Sequence, residues 1–246
     1  MEHRLMRLLA RAVVPLLLAL SLAPPATAAR PAVVEARVIG HSVDGRPIRA
    51  WHLGEQGPGV KTVVVIATMH GDEDKVSLIP KSLRDGSPIR GVDLWVVPTY
   101  NPDGRAKGTR QNARGVDLNR NYPVGWIRTT GRYDSGRKPA SEPETQAMMA
   151  FLREVDPDVV LSFHQPLNGV DTDTKRPAFS RKVAKTLHLP TRTLACNGSC
   201  HGTMTMWFNK RFDGIALTVE YGASPSSSML RGSAARGVLR LFGARR

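Results

Sequence analysis

Three stretches of this chain run from buried-type residues into a side chain able to bind metal or carry a proton. Val63-Val64-Val65-Ile66 leads to His70-Gly71-Asp72-Glu73, Val159-Val160-Leu161 to His164, and Ala216-Leu217-Thr218-Val219 to Glu220. Two imidazoles and one carboxylate are a set that holds a single zinc ion and leaves a fourth position open for water. A further carboxylate beside that position can serve as general base. Taken singly, each residue has an ordinary explanation. A His followed three residues later by Glu is common by chance, a His at a strand end is often a satisfied core residue, and a lone Glu is usually a surface charge. The weight comes from the joint arrangement, because ligands in open α/β sheets bind beyond the carboxyl ends of the strands.

Such a cleft needs strands and helices to carry it. Thr62 to Thr68, Val92 to Pro98, Val159 to Phe163 and Ile215 to Val219 are continuous β-branched or apolar runs, as expected of strands covered on both faces. Val33 to Ile39 and Ile48 to Leu53 read as a hairpin turning at Asp44-Gly45. Helical patterns cover Glu73 to Leu83, Ala178 to Leu187 and Leu230 to Phe242. Another opens on a Ser141/Glu144 capping box, with Pro143 in its first turn, and ends at Asp156-Pro157. The expectation is one α/β domain with a mixed, largely parallel central sheet and helices on both faces. An Arg-rich stretch from Tyr100 to Gly136 and a polar one from Asn168 to Pro177 read as irregular.

The first residues read as a leader, residues 1–28, with residues 29–246 as a single domain. Arg4, Arg7 and Arg11 precede an apolar run from Ala12 to Leu22, and Ala26-Thr27-Ala28 suits a signal peptidase. That run is shorter than the roughly 20 residues a membrane span needs, so a secreted, extracytoplasmic chain without a transmembrane segment is expected. Loss of three Arg and one Glu would lower the formal charge from +14 to +12. An anionic cell-wall polymer is a suitable counterpart for that charge, and a basic surface that only aids solubility is the alternative. With 6% aromatic residues and no basic stripe interleaved with rings, nucleic acid is not expected. Cys196 and Cys200, the only cysteines, favour a small disulfide loop in an oxidising compartment.

The segments His70-Gly71-Asp72-Glu73, Asn101-Pro102-Asp103-Gly104, Arg110-Gln111-Asn112, Gly115-Val116-Asp117-Leu118-Asn119-Arg120-Asn121, His164 and Thr218-Val219-Glu220-Tyr221 resemble the zinc metallocarboxypeptidase family in order and spacing. The compact size and Ser141-Glu142-Pro143-Glu144-Thr145 resemble its bacterial murein peptide amidase branch. The resemblance implies a zinc carboxypeptidase-like fold, zinc on His70, Glu73 and His164, and Glu220 as general base in the attack of zinc-bound water. It also implies that Arg110 polarises the scissile carbonyl while Asn119 and Arg120 hold a substrate carboxylate. Digestive members carry a tyrosine ahead of the catalytic glutamate, whereas no Tyr lies between His164 and Glu220. Trp207 and Phe208 fall in that interval, either as cleft wall or as core.

Export and the Arg120 fork are consistent with a cell-wall stem peptide, and the family resemblance together with export implies cleavage at a bond of the γ-D-glutamyl-diaminopimelate type. A general metallocarboxypeptidase and an N-acyl amino acid deacylase are the enzymatic alternatives. A catalytically silent wall-binding protein is the non-enzymatic one. Asp171 and Asp173 could meet a substrate amine or simply be solvated.

Overall fold

Apolar runs with no polar alternation must be covered from both sides, and in the computed structural model, which describes residues 31–194 and 200–246, they are. The chain lays down β1 (Val33–His41), β2 (Pro47–Gly54), β3 (Thr62–Ala67), α1 (Leu78–Arg84), β4 (Asp93–Val97), α2 (Pro102–Lys107), α3 (Pro143–Val155), β5 (Val159–His164) and β6 (Leu167–Asp171). Then follow α4 (Pro177–Leu187), β7 (Thr191–Arg192), α5 (Met204–Arg211), β8 (Ile215–Gly222) and a last helix made of α6 (Ser227–Met229), a π turn (Leu230–Ala234) and α7 (Ala235–Leu241). The strands form one sheet in the order β1-β2-β4-β3-β5-β8-β6-β7. Its centre, β4-β3-β5-β8, is parallel, while β1-β2, β2-β4 and β6-β8 pair antiparallel. The mixed, centrally parallel sheet expected from the sequence is therefore present.

Successive side chains of an inner strand point to opposite faces. Val63, Val65, Leu161 and Leu217 join α1, α4 and α7 in one apolar cluster. Val64, Ile66, Val160 and Ala216 join α3 and α5 in the other. Trp207 and Phe208 lie buried in this second cluster beside Tyr122 and Phe212, so their place is core and not cleft wall. The row Leu230, Ala234, Val238 is buried, whereas Arg231, Arg236 and Arg240 face outward, so packing on the domain accounts for the last helix.

Four expectations need correction. The Ser141 capping box does not form: α3 starts at Pro143 after Glu142, with no side-chain cap. Asn121 and Glu142 occupy the Ser141 hydroxyl, and Glu144 accepts from the Val43 amide and Asn112 instead. The helix expected from Glu73 begins as a 3-10 turn, Asp74–Ser77, which leaves the Glu73 carboxylate clear of the helix. The stretch after Asn168 is not wholly irregular, because β6 pairs there with β8. Within Tyr100 to Gly136 lie α2 and two 3-10 turns, Leu118–Arg120 and Gly131–Tyr133. The expected leader, residues 1–28, and Cys196 lie outside the described residues; Cys200 is not a free thiol. Among the described residues no helix is long and apolar enough to cross a membrane.

Candidate metal centre

The parallel register of β5 on β8 sets His164 directly opposite Glu220, at the carboxyl ends of adjacent inner strands. Ser162 lies two residues before His164 on the same face, and its hydroxyl meets His164 Nε2 at 3.0 Å. That contact leaves the other ring nitrogen, Nδ1, to meet His70 and Glu73. His70 arrives from the end of β3 through a crowded crossing. A Cβ on Gly71 would lie 1.9 Å from the backbone carbon of Gly104, so only glycine passes there. Asn101 secures the crossing: it caps α2 through Gly104 N and donates to the carbonyls of Met69 and Arg110.

His70, Glu73 and His164 are all buried and converge. His70 Nδ1 is 2.7 Å from Glu73 Oε1, His164 Nδ1 is 2.9 Å from Glu73 Oε2, and the two Nδ1 atoms are 3.3 Å apart. A tetrahedral ion with ligands at 2.0–2.1 Å has an edge of about 3.3 Å, so the nitrogen pair already has the spacing of two zinc ligands. Two imidazole nitrogens and a carboxylate thus offer three ligand atoms within 4.8 Å of one another. That donor set fits a single zinc ion.

Asp117, within the Gly115 to Asn121 stretch and given no role by the resemblance, is fully buried beneath this group. Its Oδ1 lies 3.1 Å from His70 Nε2, and its Oδ2 accepts from Arg110 Nε at 3.0 Å. A carboxylate on the far nitrogen of a metal-binding histidine sets the ring's tautomer and orientation. Burial of the His70 ring works against its charged form, but Glu73 and Asp117 outweigh this and raise it to about 9. Both carboxyls are buried, which by itself would raise them; the neighbouring imidazoles hold Glu73 well below the usual range, and His70 with Arg110 does the same for Asp117.

Glu220 is buried too, and it is burial above all that raises its carboxyl, with His164 opposing and Glu73 assisting. The backbone N–H of Leu167 donates to its Oε2 at 3.2 Å, fixing the side chain on the His164 side of the sheet. Arg110 points its Nη1 toward His70 Nδ1 at 3.2 Å and Glu73 Oε1 at 3.6 Å. Arg120 is only 4% exposed. Its Nη1 donates to the Asn119 carbonyl, its Nε has no protein partner, and no acidic side chain within ion-pair distance meets it among the described residues. Burial lowers its pKa, with Asp117 opposing and Arg110 assisting. The Asn119 side-chain oxygen accepts from Met204 N, fixing the amide beside Arg120. The Tyr133 ring covers both guanidinium groups, 5.2 Å from that of Arg110 and 5.3 Å from that of Arg120.

Asp171 and Asp173 take no part. Asp171 accepts from the amides of Asp173 and Leu194 and so shapes its own turn.

A family model described as zinc carboxypeptidase matches residues 25–75 and 85–167, more than half of the chain. The chain belongs to the zinc carboxypeptidase family. The matched segments carry His70, Glu73, Arg110, Asn119, Arg120 and His164 but stop short of Glu220, whose position rests on the β5–β8 register. Murein peptide amidase A of Escherichia coli K12 is 37% identical over 142 residues, 52% of this chain and 58% of that protein. The Vibrio campbellii protein of the same name is 31% identical over 166 residues, 61% of this chain and 65% of that one. The alignments thus span about six-tenths of these relatives. Among solved structures, murein-tripeptide amidase from E. coli O157 superposes with a TM-score of 0.68 at 27% identity, covering 85% of this chain and 92% of that one. Carboxypeptidase A from Helicoverpa armigera, at 15% identity and a TM-score of 0.70, shares the zinc carboxypeptidase fold.

Proposed function

We propose that this member of the zinc carboxypeptidase family hydrolyses a peptide-type amide next to a substrate carboxylate, and that its substrate is a cell-wall stem peptide. The observation that carries the hydrolase reading is the placement of Glu220 across one strand pair from His164, beside the converged His70 and Glu73. A pure binder has no use for a buried carboxylate there.

When bound, a zinc ion supplies Lewis acidity, making water easier to deprotonate near neutral pH and drawing charge from a carbonyl oxygen. The chain's own groups do the rest. Glu220, held by the Leu167 amide, takes the proton from the attacking water and returns it to the leaving nitrogen. Arg110, aimed by Asp117, meets the charge that develops on the carbonyl oxygen, a contribution typically worth about 3–4 kcal/mol for one donor. Arg120 is a buried cation with no acidic side chain within ion-pair distance among the described residues, and its planar fork matches a carboxylate in two parallel hydrogen bonds. Asn119 frames that fork.

The similarity to murein peptide amidases supports a muropeptide substrate and, with the carboxylate fork, a bond of the γ-D-glutamyl-diaminopimelate type. The amino-terminal composition supports export to the cell envelope, and the basic charge supports contact with an anionic wall polymer. Zinc-loaded protein incubated with defined muropeptides, C-terminal peptides and N-acyl amino acids, with products read by mass spectrometry, tests the substrate. Muropeptide cleavage beside diaminopimelate is expected. Release only from C-terminal peptides indicates a general carboxypeptidase, release only from acyl amino acids a deacylase, and no turnover a silent binder. Fractionation of expressing cells with sequencing of the mature amino terminus tests export.

A further inference from the structure

Tyr133 belongs to neither apolar cluster and is 40% exposed, so core packing does not explain it. Its turn is nonetheless built firmly. Gln111, next to Arg110, donates its side-chain amide to the Gly131 carbonyl at 2.7 Å. On the other side, the backbone N–H of Asp117 donates to the Asp134 carbonyl at 2.8 Å. Within the turn, the Thr129 hydroxyl donates to the Tyr133 carbonyl and the Thr129 amide to Ser135 Oγ. The segment that carries Arg110, Asp117 and Arg120 therefore also holds the ring in place over both cations.

We infer that Tyr133 is a positioning residue which, by turning its ring face to the Arg110 and Arg120 guanidinium groups, sets how the substrate carboxylate enters the Arg120 fork. A ring face set 5.2–5.3 Å from both guanidinium carbons occupies one side of each cation and leaves its N–H groups on the other sides open. A carboxylate must then approach from a side the ring leaves free, where the fork can pair with it in two parallel hydrogen bonds. The same ring helps keep water from a cation whose Nε has no hydrogen-bond partner among the described residues, which strengthens the pairing once the anion arrives. The inference rests on Arg120 as the carboxylate site, as proposed above.

The test uses zinc-loaded protein, with N-acetylalanine and its neutral amide as probes, calorimetry for binding and muropeptide hydrolysis for kinetics. Tyr133→Ala is expected to weaken binding of the acid about five- to tenfold while leaving the amide unchanged. It is expected to raise muropeptide KM by a similar factor with kcat within about twofold, and Tyr133→Phe, which keeps the ring, to recover most of the loss. Wild-type protein that prefers the acid, together with a Tyr133→Ala protein that keeps that preference, overturns the role of Tyr133 alone. Wild-type protein that binds acid and amide equally removes the Arg120 reading and the Tyr133 inference with it. A Tyr133→Ala protein that melts early and loses both ligands alike shows a structural residue and also overturns the inference.

Discussion

The molecule buries histidine beside carboxylate in two places and uses the pair differently. On β2, His52 meets Asp93 Oδ1 at 2.5 Å and stacks on Trp95 with ring centroids 4.5 Å apart. Thr62 donates its hydroxyl to the other Asp93 oxygen, so the carboxylate is matched on both sides. At the strand ends, His70 and His164 instead turn nitrogens toward each other at 3.3 Å with Glu73 between them. Residue types and burial are alike. What separates a structural histidine from a ligand is convergence: His52 meets one carboxylate through one nitrogen, whereas at the strand ends two imidazoles and a carboxylate face a shared point.

The sharpest way to break this contrast is to truncate one histidine from each region. His164→Ala should reduce bound zinc from about one ion per chain to near none and abolish hydrolysis, because two protein ligands do not hold a catalytic zinc. His52→Ala should keep its zinc and retain kcat/KM within about twofold, yet lose roughly 1–3 kcal/mol of stability by stranding Asp93. Elemental analysis and thermal melts read both. Equal zinc loss in the two variants would mean that the strand-end cluster has no special standing.

Glu220 comes next in size. Glu220→Gln should lower kcat by about 10²- to 10⁴-fold with zinc content unchanged, since the amide keeps the shape but cannot take a proton. Burial raises this carboxyl above its usual 4.5, so the active, ionised form is lost at a higher pH than for an exposed glutamate. The acid limb of the wild-type rate profile should therefore lie above 4.5. The stability sign is the reverse. A carboxyl raised by folding favours the folded state fully only below its unfolded value, and that contribution disappears as pH rises through the folded one. Glu220→Gln should consequently melt higher than wild type at neutral pH, with the gap closing in acid. A variant less stable than wild type at neutral pH would show that the burial cost has been misjudged.

Much of this was readable in the sequence, for identifiable reasons. Strands covered on both faces must be apolar throughout, so Val63 to Ile66, Val159 to Leu161 and Ala216 to Val219 disclosed both the central sheet and the residues at its end. What stayed hidden depends on contacts distant in sequence. Asp117 sits in the Gly115 to Asn121 stretch, yet only the fold brings it under His70. The short helix α2 has too few residues for a period, although Asn101 at its cap and Gly108 in a left-handed conformation at its end were local signals for it. Ser141 and Glu144 spelled a capping box, but Asn112, Asn121 and Val43 outcompeted the helix end for their oxygens. Tyr133 belongs to no periodic pattern, and nothing in its neighbours announces that it covers two arginines.

The smallest expected effects come from the carboxylates behind the two histidine sites, and they sharpen the comparison most finely. Asp117 reaches His70 through Nε2 while Nδ1 faces the metal position, so it sets which nitrogen carries the proton. Asp117→Asn retains the shape but presents a weaker acceptor, and it also releases one hold on Arg110. Zinc affinity should fall about 10- to 100-fold, measured by competition with a chelator of known strength. Asp93→Asn makes the same chemical change behind His52, which belongs to no metal-ligating group among the described residues. It should shift only the melting temperature, by an amount corresponding to roughly 1–3 kcal/mol, and leave zinc affinity untouched. An Asp117→Asn protein that holds zinc as tightly as wild type would show that His70 is oriented by the crossing at Gly71 alone, making its carboxylate as purely structural as Asp93.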